Sequence, residues 1–328
     1  MQNKLINSHI LKSYSFLQNR AAENLPISEV SKEIKSKNLA WIHLDANNQK
    51  TRDWLTKECK YLDLIIINGL LAEETRPRVE QVNDGIFFIL RCVNLNDNSD
   101  PEDMVSIRMW IDPYRIITIQ KRDTKSINDL EKSILSDCFI GSADDFLCLL
   151  LSKIFKRMEP ILGSLNELMD NLEEEFIENP SSNLRIKLTN VRKQAIIFKR
   201  YMLPQRDALF ELRNINLKWI KDLNKRLLKE SHDHTIRYVE DLEVIRERSQ
   251  IIKDELSNLL ADKINRNMYI LSVIAAIFLP LSFLTGLLGI NVGGVPASNN
   301  PYGFYIVTGL LIILLILQIF FFKKKRWF

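Results

Sequence analysis

The residues of this sequence best placed to do chemistry lie near its C-terminal end, and nearly all are uncharged. Asn265, Met268, Ser272, Ala275, Leu279, Ser282, Gly286 and Gly289 follow one another at steps of three or four. That spacing puts them on one stripe of a helix, and the stripe is mostly small or weakly polar. Ile270, Ile274, Ile277, Leu281, Leu284 and Leu288 keep the same rhythm on the opposite side, and all are greasy. Two uses fit the small stripe. It could let another helix pack closely, as small residues do in membranes. It could also line a water-filled path on a symmetry axis. Two helices cannot enclose such a path, so that reading demands an oligomer. Periodicity leaves both open.

Other polar candidates give weaker signals. His43 sits in a strand pattern with no Cys or His partner nearby, which reads as a structural histidine. His232 and His234 flank Asp233, but residues two apart do not share a helical face. Ser231 to Thr235 could therefore be only a turn. Glu173, Glu174 and Glu175, with Glu167, Asp170 and Glu178, make residues 167–178 strongly acidic. Such a run is either a solvated helix face or a surface that concentrates cations. Neither this run nor the His232/His234 pair can be assigned to a metal from sequence. Cys59, Cys92, Cys138 and Cys148 are scattered, without a Cys-x-x-Cys pair, and read as free thiols in a reducing compartment.

Function classes fall away on composition and motif. The formal net charge of +4 is mild and there is no dense basic patch with interleaved aromatics, so no nucleic-acid partner is expected. No Gly-rich phosphate loop, Walker motif or nucleophile elbow appears. With no catalytic constellation either, an enzyme is not expected, nor is a bound cofactor. The first twenty residues are polar and mixed, unlike a signal peptide.

The elements that must position the stripe follow from hydropathy. No charged residue or histidine lies between Arg266 and Lys323. A helix needs about 20 apolar residues to cross a bilayer. The region therefore predicts one span over about 268–290 and a second over 302–322. Between them, 291–301 is rich in Gly, Pro and Asn and reads as an outer turn. Lys323, Lys324, Lys325 and Arg326 form a basic tail over 323–328 that fixes this end in the cytoplasm, and Trp327 suits the interface. Both termini should then be cytoplasmic.

Upstream, residues 1–140 read as an α/β domain. Trp41–Leu44 and the apolar run Ile86–Val93 are strand candidates, and Val105–Ile111 and Arg115–Gln120 form a hairpin across Asp112-Pro113-Tyr114. Asp53–Cys59 and Asp63–Glu73 look helical. Residues 141–234 read as long helices. The first runs over Ser142–Glu178. The second runs over Leu184–Lys229, with a bend expected at Pro204. A stalk over 235–290 should run into the first span without a break before Pro280.

Gly289-Ile290-Asn291, at the outer end of the first of two C-terminal spans, resembles the Gly-Met-Asn signature of the CorA family of divalent-cation channels. The central Ile, followed by Val-Gly-Gly-Val-Pro296, is similar to a zinc-transporting branch of that family. So are Trp41-Ile-His-Leu-Asp45, Glu74-Thr-Arg-Pro-Arg-Val-Glu80, Ile86 to Asn94, Leu203-Pro-Gln-Arg-Asp-Ala208, Phe278-Leu-Pro-Leu-Ser-Phe-Leu-Thr-Gly286 and the basic Trp-Phe end. The likeness covers most of the chain in collinear order.

The resemblance implies a funnel-shaped homopentamer in a bacterial inner membrane, with the lipid bilayer and divalent cations as its other partners. It implies transport of Zn2+ or another divalent cation as cargo. Asn265, Met268, Leu271 or Ser272, Ala275, Leu279, Ser282 and Gly286 would line the pore, which favours the pore use of the stripe. Asn291 would ring the outer mouth and meet the ion through its water shell. Asp254 and Asp262 would stand near the cytoplasmic constriction. The outer loop Val295-Pro-Ala-Ser-Asn299 departs from the family in lacking an acid, which weakens cation capture there. Zinc prefers Cys and His ligands, and no pore residue supplies them, so the zinc assignment rests on resemblance. Direction, proton coupling and gating are not readable. Alternatives are a Mg2+, Co2+ or Ni2+ channel on the same scaffold, or a membrane-anchored sensor.

Overall fold

A computed structural model describes residues 8–16, 22–136, 139–290 and 300–324. The chain forms two compact units, Met1–Lys253 and Asp254–Phe328.

The first unit is built on a seven-stranded sheet. Its strands are β1 (Ile10–Phe16), β2 (Glu23–Asn24), β3 (Leu39–Asp45), β4 (Arg78–Val82), β5 (Gly85–Cys92), β6 (Val105–Ile111) and β7 (Arg115–Gln120), in the order β2-β1-β3-β7-β6-β5-β4. Only β3 and β7 pair in parallel. The near-continuous apolar runs of β3, β5, β6 and β7 have the composition of strands covered on both faces. On one face Ile42, Leu44, Phe87, Ile89, Ile117 and Ile119 form a core. They pack with residues of α1 (Ile27–Glu33), α2 (Gln49–Glu58) and α3 (Leu64–Leu71). Asn48 and Asp63 fix the starts of α2 and α3. Their side chains accept from Lys50 N at 3.0 Å and Ile66 N at 2.8 Å, caps worth about 1 kcal/mol each.

Trp41 belongs to the other face of β3. Its ring stacks on Tyr14 and lies 5.2 Å from Phe146 of α5 (Ala143–Glu178). Here α4 (Lys125–Leu135) buries Ile127, Leu130 and Ile134. Next comes α6 (Ser182–Asn214), whose buried Gln205 accepts from the backbone N of Arg91 at 2.7 Å. Both Pro160 and Pro204 are accommodated inside their helices.

Two helix boundaries differ from the sequence reading. The predicted Leu184–Lys229 helix stops at Asn214, and α7 begins at Asp222, not near Thr235. Tertiary bonds win over periodicity in the gap. The Asp144 carboxylate accepts from Lys221 N at 2.8 Å and from Asn224 Nδ2 at 2.7 Å. Trp219 donates its indole N–H to the Asp84 carbonyl at 2.7 Å, and Leu217 and Ile220 are buried. Ser231 to Thr235 is helix rather than turn: the hydroxyls of Ser231 and Thr235 donate to carbonyls four residues back, as they do inside helices.

The second unit holds the α7 residues from Asp254 and all of α8 (Gly303–Lys324). Eighteen-residue windows in α7 and α8 have mean hydropathy of 2.3 and 2.7, and only 6% and 0% of those windows are buried. These are not core helices of a water-soluble fold. Uncovered apolar surface of this length needs a lipid or protein partner.

Candidate functional site

The stripe Asn265, Met268, Ser272, Ala275, Leu279, Ser282, Gly286, Gly289 lies entirely within α7 and is exposed at every position. The opposite side is more sheltered. Val273 is buried, and Ala276, Ile277, Leu281, Leu284 and Leu288 are partly covered. Ile270 and Ile274, from the greasy stripe, remain about half exposed. The small face is thus open along its whole length, as are Leu271, Phe278, Phe283 and Leu287 beside it.

The stripe extends further back than the sequence reading took it. Ala261, Asn258 and Asp254 continue the alternation of three and four and are exposed as well. Ala261 and Asn258 were missed because charged neighbours dilute the hydropathy signal there, and Asp254 was expected near the constriction only from the family resemblance. Asp254 is therefore in register with the stripe. Asp262 stands beside Ala261 and so points about 100° away at 3.6 residues per turn. Of the pair Leu271 and Ser272, the serine is in register with the stripe and the leucine is one residue off it. A stripe repeating every 3.5 residues drifts by about 20° per heptad around a straight helix, so its two ends stay aligned only if neighbouring helices supercoil.

From Asn265 to Gly289 the stripe's chemistry is neutral and weak. Ser272 Oγ donates to the Met268 carbonyl at 2.8 Å, which leaves its oxygen free to accept. A Cβ added at Gly286 or Gly289 would meet no atom within 4 Å. Ile290 follows the helix end and is half exposed. Asn291, Lys325, Arg326 and the outer loop through Asn299 lie outside the described residues. Lys323 and Lys324 close α8.

The remaining candidates hold structural positions. His43 is fully buried. Its Nδ1 lies 2.8 Å from Thr118 Oγ1, which also accepts from the Trp41 indole. Burial pushes its pKa down to about 4. His232 is buried, 5.6 Å from the Phe210 ring, and His234 stacks on Phe155. In the acidic run, Asp170 and Glu173 bind Arg248, and Glu175 binds Lys187. Among the described residues no group of three or more His, Cys, Asp or Glu side chains could hold a metal.

Residues 36–324 match the family model described as CorA-like Mg2+ transporter protein. The chain belongs to the CorA family. It is 31% identical over 294 residues to the zinc transport protein ZntB of Pectobacterium carotovorum, covering 90% of this chain and 89% of that protein. It is 32% identical over 290 residues to the divalent cation transporter CmaX of Pseudomonas aeruginosa, covering 88% and 87%. The full-length CmaX structure superposes with a TM-score of 0.84 at 28% identity, covering 97% of this chain and 98% of that one. A CorA magnesium transporter from Methanocaldococcus jannaschii gives 0.79 at 21% identity over 97% and 99%, which speaks to the fold alone. The CorA match begins just after α1 and runs to the end of α8, so it takes in strands β3 to β7, the long helices and both apolar helices. The CorA family is one of transporters, not enzymes.

Proposed function

We propose that this protein carries divalent metal cations across a bilayer, Zn2+ foremost, through a pore on the axis of a homopentamer. The observation that carries the reading is the exposed, uncharged stripe of α7, which one subunit leaves open along its whole length. Copies related by a rotation axis bring identical stripes to face one another, and cyclic symmetry closes the ring. Zinc is favoured by the ZntB relatives, while the family description and CmaX keep Mg2+ and other divalent ions as competitors.

A neutral pore sets the mechanism. Stripping water from a small divalent ion demands strong ligands in return, and Mg2+ keeps its waters reluctantly. The stripe offers hydroxyl, thioether and glycine surface, so the ion passes with most of its shell. Asn291 carboxamides at the outer mouth would hydrogen-bond that shell and act as the filter. Asp254, on the stripe, would concentrate cations at the inner end, with Asp262 beside it. Any proton coupling must use such carboxylates or water, because no titratable side chain lies between Arg266 and Lys323 apart from tyrosines. The basic run after the second span supports a cytoplasmic C-terminus in a bacterial inner membrane, and two spans would then keep the N-terminal unit on the same side. A sensor that only anchors itself would need no patterned face. Light scattering on the purified full chain in mild detergent should give five subunits. A monomer or dimer would remove the pore.

A further inference from the structure

The first unit contains a cavity of about 380 Å3 at one end of the sheet, where β5 and β7 finish and β6 begins. Two arginines from adjacent strands line it. The register pairs Arg91 with Ser106 and Ile89 with Arg108. Arg91 and Arg108 are therefore diagonal neighbours on one face of the sheet, about 7–8 Å apart.

Among the described residues neither guanidinium forms a salt bridge with a carboxylate. Arg108 is 1% exposed, and among the described residues its guanidinium donates from Nη1 to the Leu70 carbonyl at 3.4 Å. Arg91 donates from Nη1 to the Met104 carbonyl at 2.7 Å and from Nη2 to the Thr75 carbonyl, and lies over the Tyr201 ring. The Nε–H groups of both are buried without a partner. The two acids at the cavity, Glu73 and Asp103, are engaged by the rim cations Lys121 and Arg122. Burial lowers the pKa of both arginines, and the charge of Arg91 lowers that of Arg108 further, while Asp103 acts on Arg91 and Glu73 on Arg108 in the opposite direction without offsetting burial. Uncompensated buried cations and unpaired buried donors are costly. A site that keeps both is short of an anion.

The missing group can be described. Two uncompensated cations match a dianion. Guanidinium forks match the oxygens of a phosphate, and such charge-assisted bonds are the strong ones. The volume falls in the range of small-ligand sites, about 300–1,000 Å3. Asn47 follows β3 and Lys121 follows β7, so the cavity opens at the carboxyl ends of the two parallel strands, where open α/β sheets take ligands. We propose that this cavity binds a phosphate group, free or as the monoester of a small molecule. The inference is independent of the transport reading.

The test uses the full chain in detergent, at matched ionic strength, with inorganic phosphate, AMP, or chloride alone. Thermal unfolding and calorimetric titration are the readouts. Phosphate or AMP should raise the unfolding midpoint with the logarithm of its concentration, and chloride should not. A larger effect of AMP marks the ligand as an ester, and a larger effect of phosphate marks it as the free ion. Arg108→Met should weaken phosphate binding by roughly 10- to 100-fold, the loss expected for charged hydrogen bonds. It should also raise the midpoint in phosphate-free buffer, because a buried unpaired cation is gone. Arg122→Gln on the exposed rim tests the site without touching the core and should weaken binding by a smaller factor. Equal shifts with chloride and phosphate overturn the proposal. So does wild-type phosphate affinity in both variants.

Discussion

Gly286→Leu separates the two uses of the small stripe. Within the subunit the substitution meets no obstacle, since a Cβ at Gly286 has no atom within 4 Å. Leucine is a better helix former than glycine by about 0.5–1 kcal/mol, so the isolated helix should be slightly more stable. In a pentamer the same change adds five isobutyl groups at one level of the axis. A hydrated cation must then shed water or fail to pass. Zn2+ flux should fall at least about tenfold, which corresponds to about 1.4 kcal/mol of added barrier. The assay is Zn2+ entry into proteoliposomes read by an entrapped indicator, with the oligomeric mass measured on the same preparation. Ile274→Val, on the opposite face, should transport nearly normally. Wild-type flux from intact Gly286→Leu pentamers would refute the pore assignment. Loss of the pentamer itself would show instead that the stripe is a packing seam.

Four other outcomes are expected. Asn291→Ala removes a carboxamide from each subunit, and at about 1 kcal/mol per hydrogen bond the ring should lose most Zn2+ flux while the pentamer stays intact by light scattering. Ile290→Met, which keeps the carboxamide and the approximate volume, should be far milder. Gly85→Ala would drive a Cβ into the ring of Trp110, which is buried and cannot retreat. It should cost about 1–3 kcal/mol in denaturant unfolding. His43 stays neutral in the fold down to about pH 4, whereas the unfolded chain takes up the proton near 6.5. Stability is therefore full above 6.5 and declines as pH falls from 6.5 to 4, by up to about 3 kcal/mol. His43→Gln should flatten that part of the pH–stability curve, and an unchanged slope would remove His43 as its cause.

Hydropathy and periodicity made the second unit legible, because lipid-facing helices must satisfy their backbone internally and announce themselves by length. The strands from Val105 to Gln120 were readable for a similar reason: their apolar runs are bounded by Asp112-Pro113-Tyr114. What escaped was set by contacts distant in sequence. The break after Asn214 depends on Asp144, some eighty residues upstream, reaching Lys221 and Asn224. The inner end of the stripe was masked by the charged residues around Asn258 and Ala261. Nothing in the sequence links Arg91 to Arg108, and only the register of β5 and β6 shows that they share one face.

Transport itself is the most direct test. Purified protein in liposomes, with Zn2+ outside and Mg2+, Co2+ or Ni2+ as competitors, should admit Zn2+ well above empty liposomes. The measurement is made with and without an imposed pH gradient. Entry should be blocked by a competing divalent ion and not by Na+. Liposomes that hold intact pentamers yet admit no divalent cation under either condition would contradict the account.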